Sequence, residues 1–190
     1  ADTAPVGVTQ QDACYLHLRQ WLTVGRFLPG ERLKIREVAA RLGVGLMPVR
    51  AALQRLAAEG ALVNVPHAGV TVPLLSRAEF DDVLAMRMLL EGEAAERGCL
   101  GLPAHGLAPL RRLGRQMAKA LSAADAKGYL DANEAFHLGL YRAAGSPTLL
   151  ALIDSVWLKV GPLSNRLFDH PDALAVLNDA HDDMLDALAR

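Results

Sequence analysis

The sequence predicts a mainly α-helical protein, with an N-terminal domain that ends in a small β-hairpin and a C-terminal antiparallel all-helical bundle. Apolar residues recur at helical spacing along most of the chain, and strand-like patterning is confined to residues 62–72. A length of 190 residues with 52% hydrophobic content allows two small domains, each with its own core.

Charge divides unevenly along the chain and supports a boundary near residue 75. Residues 1–75 hold eight Lys/Arg against five Asp/Glu, a net +3, whereas residues 76–190 hold twelve against sixteen, a net −4. The sequence therefore predicts a basic domain at 1–75 and an acidic domain at 76–190. An excess of three positive charges also occurs on ordinary solvated surfaces, so the motifs must decide what the basic domain does.

Composition excludes several classes of protein. The sequence shows no run of 18 or more apolar residues and no signal peptide, so we expect a cytoplasmic protein without a membrane contact. Cys14 and Cys99 lie 85 positions apart and form neither a disulfide framework nor a CxxC pair. We expect both to be packing residues.

The basic domain shows three helical segments. The first is predicted over residues 12–24. Two shorter amphipathic helices are predicted over residues 35–42 and 49–56, because each places apolar residues at i, i+3, i+4 and i+7. Gly43-Val44-Gly45 predicts a tight turn between them, which gives a helix-turn-helix.

A hairpin follows the helix-turn-helix. Residues 62–65 and 70–72 are typical of strands, and Pro66-His67-Ala68-Gly69 separates them as a turn. The helix before the hairpin carries Arg50 and Arg55 off its apolar stripe, on a face that can enter a major groove. From the residues alone, a winged DNA-binding module and a structural helical subdomain both remain open.

Several segments in residues 16–75 resemble the winged helix of GntR-type transcriptional regulators. They follow the order of that family: G-R-F-L-P-G-E-R-L at 25–33, R-E-V-A-A-R-L-G-V at 36–44, P-V-R at 48–50 and R-L-A-A-E-G at 55–60. The segments R-M-L-L-E at 87–91, N-E-A-F-H at 133–137 and residues 181–188 resemble the FadR subfamily. The resemblance implies a winged helix-turn-helix followed by the effector-binding FadR C-terminal domain.

The resemblance also implies which residues approach DNA. Arg36, Arg50 and the wing glycine Gly69 match positions that contact DNA in the family. Guanidinium groups bind phosphate or guanine, and a glycine lets the backbone come close to the duplex. Leu46 stands where the family's S-R-T segment has a DNA-contacting arginine, so we expect it to meet a thymine methyl and to alter the target sequence. His67 in the wing is expected to contact phosphate.

Polar side chains interrupt two apolar stripes in the acidic domain. Asn133 and His137 lie between Leu130 and Leu140 at spacings of 3, 4 and 3, and His181 lies on a similar stripe of a later helix. Inward-facing polar groups need partners, and either neighbouring hydrogen bonds or a divalent metal ion supply them. From the residues alone, both remain open.

The family resemblance favours the metal ion. Metal-binding members have an Asp, a histidine four residues later, a histidine at the position of His181 and a further histidine in a final helix. Asn133 replaces the Asp, and that final helix is expected to be missing beyond Arg190, so we expect an incomplete site. The expected ligands of Zn²⁺, Ni²⁺ or Mn²⁺ are Asn133, His137 and His181.

In related regulators the metal or nearby basic side chains hold a small organic acid. Arg87 is the candidate anchor for the carboxylate of such an effector. The alternative for Arg87 is a surface ion pair with Glu91, four residues along the same helix.

Together these observations predict a regulator that binds double-stranded DNA at a pseudo-palindromic operator as a homodimer. A small organic acid in the bundle, held directly or through a metal ion, would control operator affinity, and no catalysis is expected. One alternative is a helical metalloenzyme that uses His137 and His181. Another is a dimeric DNA-binding protein without a ligand.

Overall fold

The computed structural model describes residues 9–66, 69–169 and 171–190, so the predicted contact His67 lies outside the described residues. The chain begins with α1 (Gln10–Thr23), α2 (Ile35–Leu42), α3 (Leu46–Ala58), β1 (Val63–Val65) and β2 (Gly69–Thr71). The later helices in the described ranges are α4 (Arg77–Gly101), α5 (Leu107–Ser122), α6 (Ala126–Ala143), α7 (Pro147–Ser164) and α8 (Pro171–Leu188), with a 3₁₀ helix at Asn165–Asp169. The predicted fold class, a winged helix-turn-helix with a helical bundle, is confirmed.

Gly43 sets the turn between α2 and α3. It follows the last residue of α2 in the left-handed conformation, with φ at 65°, which glycine adopts readily because it has no Cβ. Gly45 then precedes α3 without a side-chain cap, and Pro48 lies in the first turn, where no intrahelical partner is lost. The helix begins at Leu46, earlier than predicted, because the apolar pattern marks only residues that face the core, of which Val49 is the first.

The wing is an antiparallel pair in which Val63 lies opposite Thr71 and Val65 opposite Gly69. An isolated bridge between Arg32 and Thr71 attaches the loop before α2 to the edge of this hairpin. The loop that precedes the helix-turn-helix therefore lies beside the wing.

The N-terminal core joins α1, α3 and the loop between α1 and α2. Its largest side chains at 0–1% exposure are Leu18, Leu22, Phe27, Leu53, Leu56 and Leu62. Burial of each such side chain is worth roughly 1.5–3 kcal/mol relative to exposure. Because the apolar face of α3 is used in this core, its opposite face remains in solvent.

Glycines in the bundle permit close helix crossing instead of ending helices. The glycines within residues 98–106 predict a connection between two helices, and the connection lies at residues 102–106, because α4 continues through Gly98 to Gly101. A Cβ at Gly98 would collide with the carbonyl oxygen of Leu140, so its absence lets α4 approach α6. Gly128 predicts the next connection, which lies instead at residues 123–125. Gly128 is in the first turn of α6, where the Asp125 carboxylate accepts its N–H at 2.9 Å.

The bundle has a second core, with α6 contacting α4, α5 and α7. Its largest buried members are Leu110, Met117, Phe136, Leu140 and Ile153. Cys14 is buried as predicted, but Cys99 is exposed on α4, so that prediction is wrong for Cys99. Among the described residues, the helices are either too short or too polar to cross a lipid bilayer.

Candidate DNA-binding groove and ligand cavity

Four of the residues predicted to contact DNA line one open groove beside the wing, which we call the wing groove. Arg36 lies on α2, Leu46 and Arg50 lie on α3, and Gly69 begins β2, and all four border a space of about 530 Å³. Gly69 has φ at 81°, a left-handed conformation that favours glycine. The structure thus places residues from three separate elements around a surface concavity next to the wing.

The groove is cationic, and most of its positive charges are unpaired. Within the described residues, no acidic side chain forms an ion pair with Arg36 or Arg50, and both side chains are exposed. Lys34 does form a pair, with Glu37 at 2.7 Å. Exposed guanidinium groups without a competing carboxylate are suited to bind phosphate oxygens or base edges.

Sequence reasoning missed Arg32 and Lys34, which also line the groove. The Nε and Nη2 atoms of Arg32 lie 3.9 Å from the position that a Cβ on Gly69 would occupy. In the sequence, Arg32 lies far from the wing, and the backbone pairing of its loop with β2 and Val72 brings it there. The charge excess of the first domain and the family segment at 25–33 both include Arg32, but neither indicated that it lies beside the wing.

Two other arginines of the helix-turn-helix contact aromatic or acidic side chains of the same domain. The Arg41 guanidinium lies 4.4 Å from the centre of the Trp21 ring. The Arg55 guanidinium lies 3.7 Å from the centre of the Tyr15 ring, and its nitrogens lie 3.5 Å from Asp12 and 3.3 Å from Glu59. Such contacts hold α1 against its neighbours. Of the two predicted major-groove arginines on α3, Arg50 lines the groove and Arg55 does not.

The bundle contains two adjoining cavities that share Arg87, Asn133 and His137. The larger, of about 250 Å³, also has His181 and Tyr129 in its wall. The smaller, of about 50 Å³, is lined in addition by residues of α1 and α7. The structure therefore brings together all four residues that were predicted to hold a metal or an effector.

The two histidines face each other at close range. The Nε2 atoms of His137 and His181 are 3.2 Å apart, and His181 is only 6% exposed. The Tyr141 hydroxyl donates to Glu91 Oε2 at 3.0 Å, and its oxygen lies 3.2 Å from His137 Nδ1. Because the hydroxyl has one hydrogen, its oxygen accepts the Nδ1–H of His137. The Nε2 atom of His137 then has a lone pair that faces His181.

Glu91 is the centre of a hydrogen-bond network beside the cavities. Its carboxylate accepts from Arg87 at 2.5 and 3.3 Å, from Trp157 at 2.9 Å and from Tyr141. Burial alone would raise the pKa of the Glu91 carboxyl, but these donors and the Arg87 charge outweigh it and hold the pKa below its ordinary value. The predicted alternative for Arg87, a pair with Glu91, is thus present, although Arg87 also lines both cavities.

Burial determines the protonation states of His137 and Tyr141 beside the cavity. Loss of solvent, followed by the charge of the neighbouring His181, lowers the pKa of His137 to about 4. Burial and the negative charge of Glu91 raise the pKa of the Tyr141 hydroxyl. At neutral pH, His137 is therefore an uncharged imidazole that a cation can bind without displacing a proton from it.

The residues present fit a divalent metal ion with nitrogen ligands. Two imidazole nitrogens 3.2 Å apart are close enough to reach one cation, and Asn133 lines the same cavity with an amide oxygen. Zn²⁺, Ni²⁺ and Mn²⁺ accept such donors. The described residues contain no cluster of three or more His, Cys, Asp or Glu at metal-binding separation, and Asn133 offers a neutral amide oxygen in place of a carboxylate.

Comparison with known protein families and structures gives independent matches to both parts of the chain. Residues 10–72 match the family described as bacterial regulatory proteins of the gntR family, and residues 82–190 match the FCD domain. The HTH-type transcriptional regulator McbR of Escherichia coli strain K12 is 30% identical over 152 residues, which are 80% of this chain and 69% of McbR.

Two further matches cover most of the chain. An uncharacterized HTH-type transcriptional regulator of Agrobacterium vitis, in the TAR-I ttuE-ttuC' intergenic region, is 31% identical over 70% of this chain and 79% of its own length. The solved structure of E. coli McbR/YncC superposes with a TM-score of 0.87 at 28% identity and covers 96% of this chain and 87% of that one.

Proposed function

Because the chain belongs to the GntR family of bacterial regulatory proteins and carries an FCD domain, we propose that it is a transcriptional regulator controlled by a small organic acid. The acid binds in the helical bundle through a divalent metal ion, and its binding changes the affinity of the winged domain for operator DNA. The observation that carries this proposal is the His137–His181 pair at 3.2 Å, beside a cavity of about 250 Å³.

The DNA-binding surface of the proposal is the wing groove. Arg36 and Arg50 bind phosphates or guanine edges, Leu46 contacts a thymine methyl, and Gly69 brings the wing backbone close to the duplex. We add Arg32, which lies beside Gly69 in the same groove. The functional division is a DNA-binding domain at 1–75 and a ligand-binding domain at 76–190, acting in the cytoplasm.

We propose that the regulator acts as a homodimer on a pseudo-palindromic operator. The long helix α4 supports this, because it exposes large apolar side chains to solvent, with Met88 at 71% and Leu89 at 66% exposure. Neighbouring exposed apolar residues on one helix mark surfaces that associate. Replacing Leu89 with Glu is expected to convert the dimer to a monomer in sedimentation equilibrium.

Asn133, His137 and His181 would hold the metal ion, of which Zn²⁺, Ni²⁺ and Mn²⁺ are the candidates. When bound, the ion supplies the positive charge that attracts the carboxylate of the effector. Arg87 is placed to add a second positive group, because its side chain lines both cavities while Glu91 holds it. In this proposal the anionic effector supplies the negative charge that the Asn133 amide and the two imidazoles lack.

Control of DNA binding by the effector is a coupling free energy between two sites. Such couplings are typically about 1–3 kcal/mol, and linkage requires that DNA change the affinity for the effector by the same factor. The proposed function therefore predicts reciprocal effects in binding experiments with DNA and with effector.

The test of the ligand site is a Zn²⁺ titration by isothermal calorimetry, with His137→Ala and the control His105→Ala. His105 is exposed and lies outside both cavities, so its variant should bind Zn²⁺ as the unaltered chain does. Removing a ligating imidazole should weaken Zn²⁺ binding by more than the roughly 10–100-fold typical for loss of an outer-shell partner. Equal Zn²⁺ affinity in the two variants would remove the metal from the proposal.

A further inference from the structure

The end of α1 forms part of the wall of the smaller cavity in the bundle. Thr23 and Val24, which belong to the DNA-binding domain, border this space of about 50 Å³ together with Asn133, His137 and Gly161. Val24 is 3% exposed and packs in the core of the bundle. The smaller cavity, which adjoins the one proposed to bind the ligand, is thus enclosed by residues of both domains.

Gly161 on α7 fixes how closely α1 approaches this cavity. A Cβ at Gly161 would collide with the carbonyl oxygen of Leu22 and would lie 2.6 Å from that of Thr23. Both neighbours are backbone atoms, which cannot move aside as a flexible side chain can. Any side chain at this position would therefore force the end of α1 away from α7.

Other contacts hold the same junction together. Arg26, after the end of α1, forms an ion pair with Asp131 on α6, and Arg19 lies 3.2 Å from Asp154 on α7. Val24 packs in the core of the bundle, and Leu158 of α7 packs in the core of the DNA-binding domain. A displacement on one side of the junction is therefore transmitted to the other.

We infer that the ligand site is shared between the domains, with Thr23 and Val24 of α1 contacting whatever occupies the cavity beside Asn133 and His137. The metal ion lies at the His137–His181 pair in the adjoining larger cavity, and the smaller cavity of about 50 Å³ has room for one or two water-sized groups. Its occupant is therefore a water molecule or a carboxylate oxygen bound to that ion. This inference rests on the ligand-binding function proposed above and adds that α1 senses the ligand directly. Because α1 packs against α3, a shift of α1 also moves α3, the helix proposed to enter the major groove of DNA.

The experiment is hydrogen exchange of the full chain with and without Zn²⁺, in Gly161→Ala and in the control Gly92→Ala. Gly92 lies on α4 and has no atom within 4 Å of its Cβ position, so its substitution leaves the junction intact. In the unaltered chain and in the control, Zn²⁺ should slow exchange of the amides of residues 20–26 as well as those of α6 and α8. In Gly161→Ala, Zn²⁺ should still bind, and the response of residues 20–26 should be lost.

The outcomes separate the shared site from the proposed function. If Zn²⁺ binds and protects α6 and α8 but leaves residues 20–26 unchanged in the unaltered chain, the shared site is overturned while the metal site stands. If Zn²⁺ does not bind, the metal site fails. The junction is then judged without metal, where Gly161→Ala should speed exchange of residues 20–26 by at least about tenfold relative to Gly92→Ala. Equal exchange in those two variants overturns the junction itself.

A milder pair of variants covers the case in which Gly161→Ala does not fold. Arg26→Gln removes the ion pair with Asp131 across the junction, and Arg97→Gln removes an exposed pair with Glu93 within α4. Arg26→Gln should reduce the Zn²⁺ response of residues 20–26 at least about twofold, since a charged contact that spans two elements adds to their coupling. An undiminished response in Arg26→Gln would count against the inference.

Discussion

The wing groove and the bundle cavity use arginine in opposite ways. Arg36 and Arg50 are exposed in the groove, and no described acidic residue forms an ion pair with either of them. Arg87 is 34% exposed beside the cavity, and the mostly buried Glu91 holds its guanidinium. Exposed charges act almost independently and are weakened by salt, whereas groups in a desolvated network depend on each neighbour. Substitutions in the two regions should therefore differ in both size and kind.

The largest expected contrast is between two carboxylates, Glu91 in the cavity network and Glu37 at the groove. Glu91→Gln should lower the free energy of unfolding by about 3 kcal/mol, because it leaves Arg87 beside a neutral group in a poorly solvated place. Glu37→Gln removes an exposed pair with Lys34 and should cost less than about 0.5 kcal/mol. Urea denaturation measures both. Equal losses would show that burial does not separate the two regions.

The second prediction concerns the pH dependence of stability. His137 has a pKa of about 4 in the folded protein against 6.5 ordinarily, so between these values the unfolded chain binds a proton that the folded chain does not. Stability should therefore fall as the pH is lowered through this window, by about 1.4 kcal/mol per pH unit and about 3 kcal/mol in total.

The measurement is the unfolding free energy between pH 7 and pH 4 with EDTA present, in the unaltered chain and in His137→Gln. The pKa of Glu91 is lowered, and burial raises the pKa of Glu134. The unaltered chain and His137→Gln both retain these two carboxyl groups. The difference between the two curves therefore isolates His137. Parallel curves would mean that His137 is not desolvated in the folded protein.

The third prediction concerns Arg50 in the groove. Arg50→Ala should weaken operator binding by about 1–3 kcal/mol if the guanidinium binds a base, and it should relax sequence preference at one position. Operator duplexes selected from a random library supply the probe, and fluorescence anisotropy supplies the affinity. Arg97→Ala, on the outer face of α4, is the matched control and should bind as the unaltered chain does. Unchanged affinity in Arg50→Ala would remove it from the DNA-binding surface.

The smallest expected effect belongs to Arg32. If it contacts one phosphate, Arg32→Gln should weaken binding to all duplexes equally and reduce the slope of log K against log salt by about 0.9. Measurement of binding to random-sequence duplex DNA at several NaCl concentrations gives this slope. A slope identical to that of the unaltered chain would place Arg32 outside the DNA contact and leave it as a support for the wing.

Local patterns predicted the helix-turn-helix well and the bundle less well. The α2–α3 turn follows from apolar spacing and from one glycine, Gly43, because each depends on residues close in the sequence. Gly98 gave the opposite result, since a glycine that ends a helix in isolation instead admits a neighbouring helix when a carbonyl such as that of Leu140 lies against it. Nothing near Gly98 in the sequence reports that neighbour.

The sequence by itself determined the order of the elements, the basic character of the first domain and four of the residues that line the groove. It could do so because Arg36 and Arg50 are brought together by a short turn, and Gly69 by a single hairpin. The tertiary structure alone decided the surroundings of His137. His181 lies 44 residues from His137 in the sequence, and Trp157, which donates a hydrogen bond to Glu91, lies 66 residues from it. These contacts therefore exist only once the helices have packed. The same packing placed the end of α1 against Gly161, because residues distant along the chain become neighbours only when shared burial of apolar surface brings their helices together.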